Sequence, residues 1–82
     1  MKTLRIPLRI NRQSVDLSSA ILTLYVPGNA VATFTMTGVG SEARYLIHAG
    51  DFRAGTYQAW VRYQSVDQVL RTNPFAVYVL NG

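Results

Sequence analysis

A two-residue hydrophobic period constrains this chain more than any other feature. Between residues 56 and 64, Tyr57, Ala59, Val61 and Tyr63 alternate with Thr56, Gln58, Trp60, Arg62 and Gln64. Successive side chains of a strand point to opposite faces, so this spacing separates an apolar from a polar face only in extended backbone. Wound as a helix, the same residues would spread around the whole circumference. The period recurs over residues 3–10 (Leu4, Ile6, Leu8, Ile10), 20–26 (Leu22, Leu24, Val26) and 30–37 (Ala32, Phe34, Met36). Residues 43–49, 68–71 and 75–80 supply three further extended segments, and no 3.6-residue repeat is sustained anywhere. Turn signals divide them: residues 11–14, Pro27-Gly28-Asn29, a flexible connection at 38–41, His48-Ala49-Gly50-Asp51, residues 65–67 and Asn73-Pro74. About seven short strands at this spacing predict an all-β, antiparallel sandwich.

The first segment carries Arg5, Pro7 and Arg9 on one face. Proline cannot donate to a ladder, so this reads either as an edge strand guarded against pairing or as a short strand that Pro7 ends. Eighty-two residues make one domain, 1–82. With 49% hydrophobic and 15% charged residues, the chain has the balance of a folded protein and not of a disordered one. It has no cysteine, so a modest core without disulfide staples is expected to gain stability from neighbouring subunits. No signal peptide or apolar span is visible, which predicts synthesis in the cytoplasm and no membrane partner.

Net charge is +4, from Lys2 and seven arginines against Asp16, Glu42, Asp51 and Asp67. The arginines are scattered, without the clustered footprint that specific nucleic-acid binding needs. Chemistry-bearing groups are equally sparse. His48 is the one histidine, no serine sits in a nucleophile elbow, and four dispersed acids make no glycosidase pair. The expectation is therefore a protein that is not an enzyme and uses no cofactor or metal. Asp16, beside Ser18 and Ser19, reads as a turn residue that satisfies backbone N–H groups.

Gly55-Thr56-Tyr57 has the spacing of a tyrosine corner, in which a tyrosine opening a late strand bonds back to nearby backbone. Antibody-type domains place a cysteine two residues later, where this chain has Ala59. A longer pattern joins Val15-Asp16-Leu17-Ser18-Ser19-Ala20, Ala49-Gly50-Asp51-Phe52-Arg53-Ala54-Gly55-Thr56-Tyr57 and Phe75-Ala76-Val77-Tyr78-Val79. Together these motifs resemble the immunoglobulin-like N-terminal domain of upper baseplate proteins of tailed bacteriophages and related small virion modules. The resemblance spans residues 15–79 and implies an immunoglobulin-like sandwich that attaches to a virion. Baseplate proteins of that kind continue into a second region that holds the receptor-binding protein. A chain ending at Gly82 is expected instead to decorate a capsid or join tail components.

If Tyr57, Ala59 and Val61 face the core, Trp60 and Arg62 project from the opposite face. Exposed Trp and Arg are common anchors of protein interfaces. Tyr25 and Tyr78, opposite the more apolar faces of their strands, extend the patch, and Arg5 and Arg9 complete the candidate contact set. The expected function is a virion accessory protein that binds other virion proteins within a homo-oligomer. The alternative is a carbohydrate-binding module for adhesion to host-surface glycans, built on the aromatic groups around Trp60.

Overall fold

The structure, a computed structural model, describes residues 2–10, 13, 14 and 16–80. Asn11 and Arg12 of the expected first turn, Val15 of the Val-Asp-Leu-Ser motif and the terminal Gly82 lie outside the described residues, as does the side chain of Ile10. Nine strands form, and the described residues contain no helix: β1 (Lys2–Pro7), β2 (Arg9–Ile10), β3 (Gln13–Ser14), β4 (Ile21–Tyr25), β5 (Thr33–Val39), β6 (Glu42–Ile47), β7 (Gly55–Gln64), β8 (Val69–Arg71) and β9 (Phe75–Val79). Seven join one antiparallel sheet in the order β1-β6-β5-β4-β7-β8, with β9 also on β7, while β2 and β3 pair with each other.

Two strands divide their partners along their length. The first half of β5 pairs with β4 (Leu22 opposite Met36), and its second half pairs with β6 (Gly38 opposite Ala43). β7 meets β9 along residues 55–59, then β4 and β8 along its second half. An immunoglobulin domain places strands B, E and D in one sheet and C′, C, F and G in the other. Here β1, β6 and the second half of β5 pair in the first order; the first half of β5, then β4, β7 and β8/β9 pair in the second. Because β5 serves both, the ladder is unbroken.

Alternation built the core as expected. Leu22, Leu24 and Val26, then Phe34 and Met36, then Tyr57, Ala59 and Val61 are all buried. Leu4, Ile6, Tyr45 and Ile47 pack on them from β1 and β6. Phe34 lies 5.1 Å from Tyr45 and 5.0 Å from Phe52, ring centre to ring centre, so β5, β6 and the 48–54 connection share one aromatic cluster in the core. Burying each large aliphatic side chain contributes about 1.5–3 kcal/mol.

Three boundaries differ from expectation. Residues 30–32 belong to a turn, because Val26 N–H bonds to the Ala32 carbonyl at 2.7 Å and closes the hairpin there. Gly38 and Val39 are strand, not flexible connection, and only Gly40-Ser41 turns the chain. Gly40 has φ +60°, the sign a two-residue hairpin turn requires at its first central position. The first segment is an edge strand that also stops at Pro7. Just past it Leu8, in the same register, bonds through its N–H to the Ser41 carbonyl at 2.9 Å and buries its side chain.

Candidate functional site

The outer face of the β4-β7-β8 ladder gathers most of the expected contact residues. Tyr25 and Trp60 stand directly opposite each other across β4 and β7. Their rings stack at 5.5 Å with an interplanar angle of 13°. From the other side of β7, the Arg71 guanidinium lies over the indole, 5.6 Å from the ring centre. β4 and β8 flank β7 on opposite sides, so tyrosine and arginine reach the same indole from different strands. Stacked aromatic pairs and desolvated cation–π contacts each contribute on the order of 1 kcal/mol, which holds the three side chains as one unit.

Arg62 sits opposite both Thr23 and Arg71 and donates from Nη1 to Gln64 Oε1 at 2.9 Å. Like charges opposite one another on a ladder repel. The lean of Arg71 onto Trp60 gives that cation a favourable place. Ile21 (60% exposed) and Val69 (56% exposed) flank Gln64 at the end of this face. Thr33 and Thr35 border it on β5.

The remaining expected contacts scatter. Tyr78 shares the outer face but stands opposite Thr56, four residues along β7 from Trp60. Arg5 is on the outer face of β1, opposite Arg44 of β6, away from the stack. Arg9 lines a small, mostly apolar cleft with Leu8, Leu17, Val61, Leu70 and Arg71. Arg71 and Asn29 were not singled out by sequence. Arg71 is reached only through the register of the β7–β8 hairpin, whose loop closes by Ser65 N–H to the Gln68 carbonyl at 2.9 Å.

Three of the four acids are engaged elsewhere. Arg44 Nε donates to Glu42 Oε1 at 2.6 Å. Asp16 Oδ1 accepts from the Ser18 N–H at 3.0 Å, the turn role expected of it, and this bond lowers its pKa. Asp51 Oδ2 accepts from the His48 N–H and from the Tyr45 hydroxyl, both at 2.8 Å. The His48 bond and then the Tyr45 bond hold the Asp51 carboxyl below its ordinary pKa, while burial first, and Asp51 second, raise that of Tyr45. His48 Nδ1 is 3.7 Å from the same oxygen, on an exposed ring. This trio fastens the connection from β6 to β7. Among the described residues no carboxylate lies within ion-pair distance of Arg62 or Arg71, and no group of three metal-ligating side chains converges.

Two further side chains fix that same connection. Buried Asn29 donates from Nδ2 to the Val31 and Asp51 carbonyls, at 2.8 and 2.7 Å, and accepts at Oδ1 from the Arg53 N–H at 3.1 Å. The Tyr57 hydroxyl donates to the Arg53 carbonyl at 2.8 Å, completing the tyrosine corner. The 27–31 turn and the 48–54 connection are thus one polar clamp at the end of the molecule where β7 begins. What the outer face offers chemically is a rigid ridge of aromatic edges and two uncompensated cations. Comparison with protein-family models, curated proteins and solved structures gives no match to this chain.

Proposed function

We propose that this chain is an attachment module that binds another protein through the outer face of the β4-β7-β8 ladder, as a small accessory component of a phage particle. The observation that carries the reading is the Tyr25–Trp60–Arg71 stack, with Arg62 beside it and no carboxylate near either guanidinium among the described residues. All four side chains stand on paired strands, so their arrangement precedes binding and little ordering entropy is lost on contact. Trp, Tyr and Arg are the residue types that dominate interface energies. A face with two free cations favours an acidic protein surface. The tyrosine corner and the immunoglobulin-type pairing order support the module class; the virion setting rests on the motif resemblance.

Sugar recognition by aromatic stacking requires an open ring face. Tyr25 and Arg71 already lie against the Trp60 ring, which favours the protein-binding reading over adhesion to glycans. The test is co-sedimentation of purified protein with parent particles that lack it. Wild type is expected to bind, and Trp60→Ala and Arg71→Ala to weaken binding at least tenfold while remaining folded. Particles that ignore the wild-type protein, or bind all three forms equally, would sink the reading.

A further inference from the structure

Of the strands that pair with a single neighbour in the main sheet, β1, β8 and β9, the two longer ones are finished differently. β1 carries Lys2, Arg5 and Pro7, the charges and proline that keep an edge from recruiting another chain. β9 reads Phe-Ala-Val-Tyr-Val, five residues with no charge, proline or glycine. It pairs with β7 alone, and among the described residues no other backbone group bonds to it. Alternate N–H and C=O groups of β9 therefore face outward without a partner. Tyr78 beside this edge is 72% exposed and Leu80, just past it, 87%.

We propose that β9 pairs antiparallel with β9 of a second copy, giving a two-fold dimer with one sheet continuous across the interface. The strand is self-complementary. Centred on Val77, the register keeps all five residues paired, with position 75 opposite 79 and 76 opposite 78. Phe75 then meets Val79, an aromatic–β-branched pair of the kind that stabilises ladders, and small Ala76 meets large Tyr78. A shift by one residue would set core-facing side chains against solvent-facing ones, so neighbouring registers are excluded. Charge selects the same edge. Two copies of a +4 chain repel, and β9 is a terminal strand where they approach without opposing charges.

Pairing two β9 edges leaves as free edges the guarded β1 strands and the three-residue β8 strands, each carrying Arg71, which are too charged or too short to run on into fibres. This inference is independent of what the Trp60 face binds.

Sedimentation equilibrium from micromolar to millimolar concentration tests it. Wild type is expected to approach twice the monomer mass. Ala76→Lys combined with Tyr78→Lys sets like charges opposite each other at two places in the Val77-centred register, and is expected to remain monomeric throughout. Ala76→Lys combined with Tyr78→Glu sets opposite charges at the same places and is expected to restore the dimer. Both positions are exposed, so a single cooperative urea transition shows that each variant is folded. A wild type that stays monomeric, a Lys/Lys variant that still dimerises, or a Lys/Glu variant that does not recover would each overturn the proposal.

Discussion

Gly38 and Gly40 lie two residues apart in one hairpin, and alanine at each position tests a different physical constraint. A Cβ on Gly38 would fall 2.2 Å from the Leu17 carbonyl oxygen and 2.7 Å from Leu17 Cβ. No rotamer relieves this, because the obstacle is backbone, and the 16–20 segment would have to retreat by about an ångström to reach ordinary contact. That segment is held by the Leu17 N–H bond to the Gly40 carbonyl at 2.7 Å, and Leu17 itself is 1% exposed. Losing the burial of a leucine costs about 1.5–3 kcal/mol, and losing the hydrogen bond about 0.5–1.5 kcal/mol. Gly38→Ala is therefore expected to cost about 2–4 kcal/mol, a large part of the stability of so small a domain. Gly40 has open space around its Cβ position, so Gly40→Ala costs only left-handed backbone strain, about 1–2 kcal/mol. Asparagine separates the two causes. It tolerates the left-handed region and should recover most of the loss at position 40, but its larger side chain should recover nothing at position 38. Urea unfolding followed by the single tryptophan, Trp60, reads all four variants. The reasoning fails if Gly38→Ala is no worse than Gly40→Ala, or if asparagine rescues both sites.

Tyr57→Phe removes one bond and almost no volume, so it should cost about 1 kcal/mol and lower Tm by roughly 4–8 °C; an unchanged calorimetric Tm would deny the corner a stabilising role. Asn29→Ala strands two carbonyls and one N–H, and is expected to cost about 2–4 kcal/mol, with faster hydrogen exchange at the Arg53 amide as the local readout. Asp51 has its pKa lowered in the folded state, so its contribution is present above the ordinary carboxylate value of 3.8 and is lost as pH falls below it toward the folded value. Asp51→Asn should consequently show a shallower loss of Tm on acidification than wild type; parallel curves would mean that the clamp does not depend on the charge.

The strand content was legible because most of these strands bury one face and leave the other in solvent, which writes a period of two directly into the sequence. β7 shows this best: Tyr57, Ala59 and Val61 are buried and Thr56 and Gln58 exposed, as the alternation requires. The same rule placed Trp60, Arg62 and Tyr25 on one outer face before any partner strand was known. Boundaries were less legible, because they depend on contacts distant in sequence. Ala32 continues the period of its strand, yet the Val26–Ala32 bond assigns it to the hairpin closure. Gly38 resembles a loop residue until Leu17 is seen crossing it; the glycine is needed for proximity and not for flexibility. Leu8 keeps the alternation of β1 and bonds to Ser41 in the same register, so Pro7 marks the end of the assigned strand without ending the pairing with the β6 side. Arg71 was missed for a related reason: its place over Trp60 follows from hairpin register, and nothing in a short Val-Leu-Arg segment announces it. Asn29 was read as a turn former, and turn propensity says nothing about a side chain that reaches a second loop.

Where the polar groups go explains how a nearly featureless composition still produces a directional molecule. A small domain without disulfides must keep its long connections from fraying, and this one assigns Asn29, Tyr45, Asp51 and Tyr57 to that task around the 48–54 segment. Asp51 is thereby held in a loop clamp, Glu42 by Arg44 and Asp16 by its own turn. With only four acids, that leaves Asp67, in the β7–β8 loop, as the one acid with no partner of this kind among the described residues. The arginines of β7 and β8 have no carboxylate to turn to, and a guanidinium that cannot pair inside its own chain retains its full capacity for a partner. A mild overall basicity thus becomes local: the acids are spread over the clamp, an ion pair and two loops, and the aromatic face of β4, β7 and β8 keeps its positive charge. Restoring a carboxylate to that face, as Thr23→Glu opposite Arg62 would do, should therefore leave the fold intact and weaken attachment, because it supplies from within the chain what the binding partner is proposed to bring.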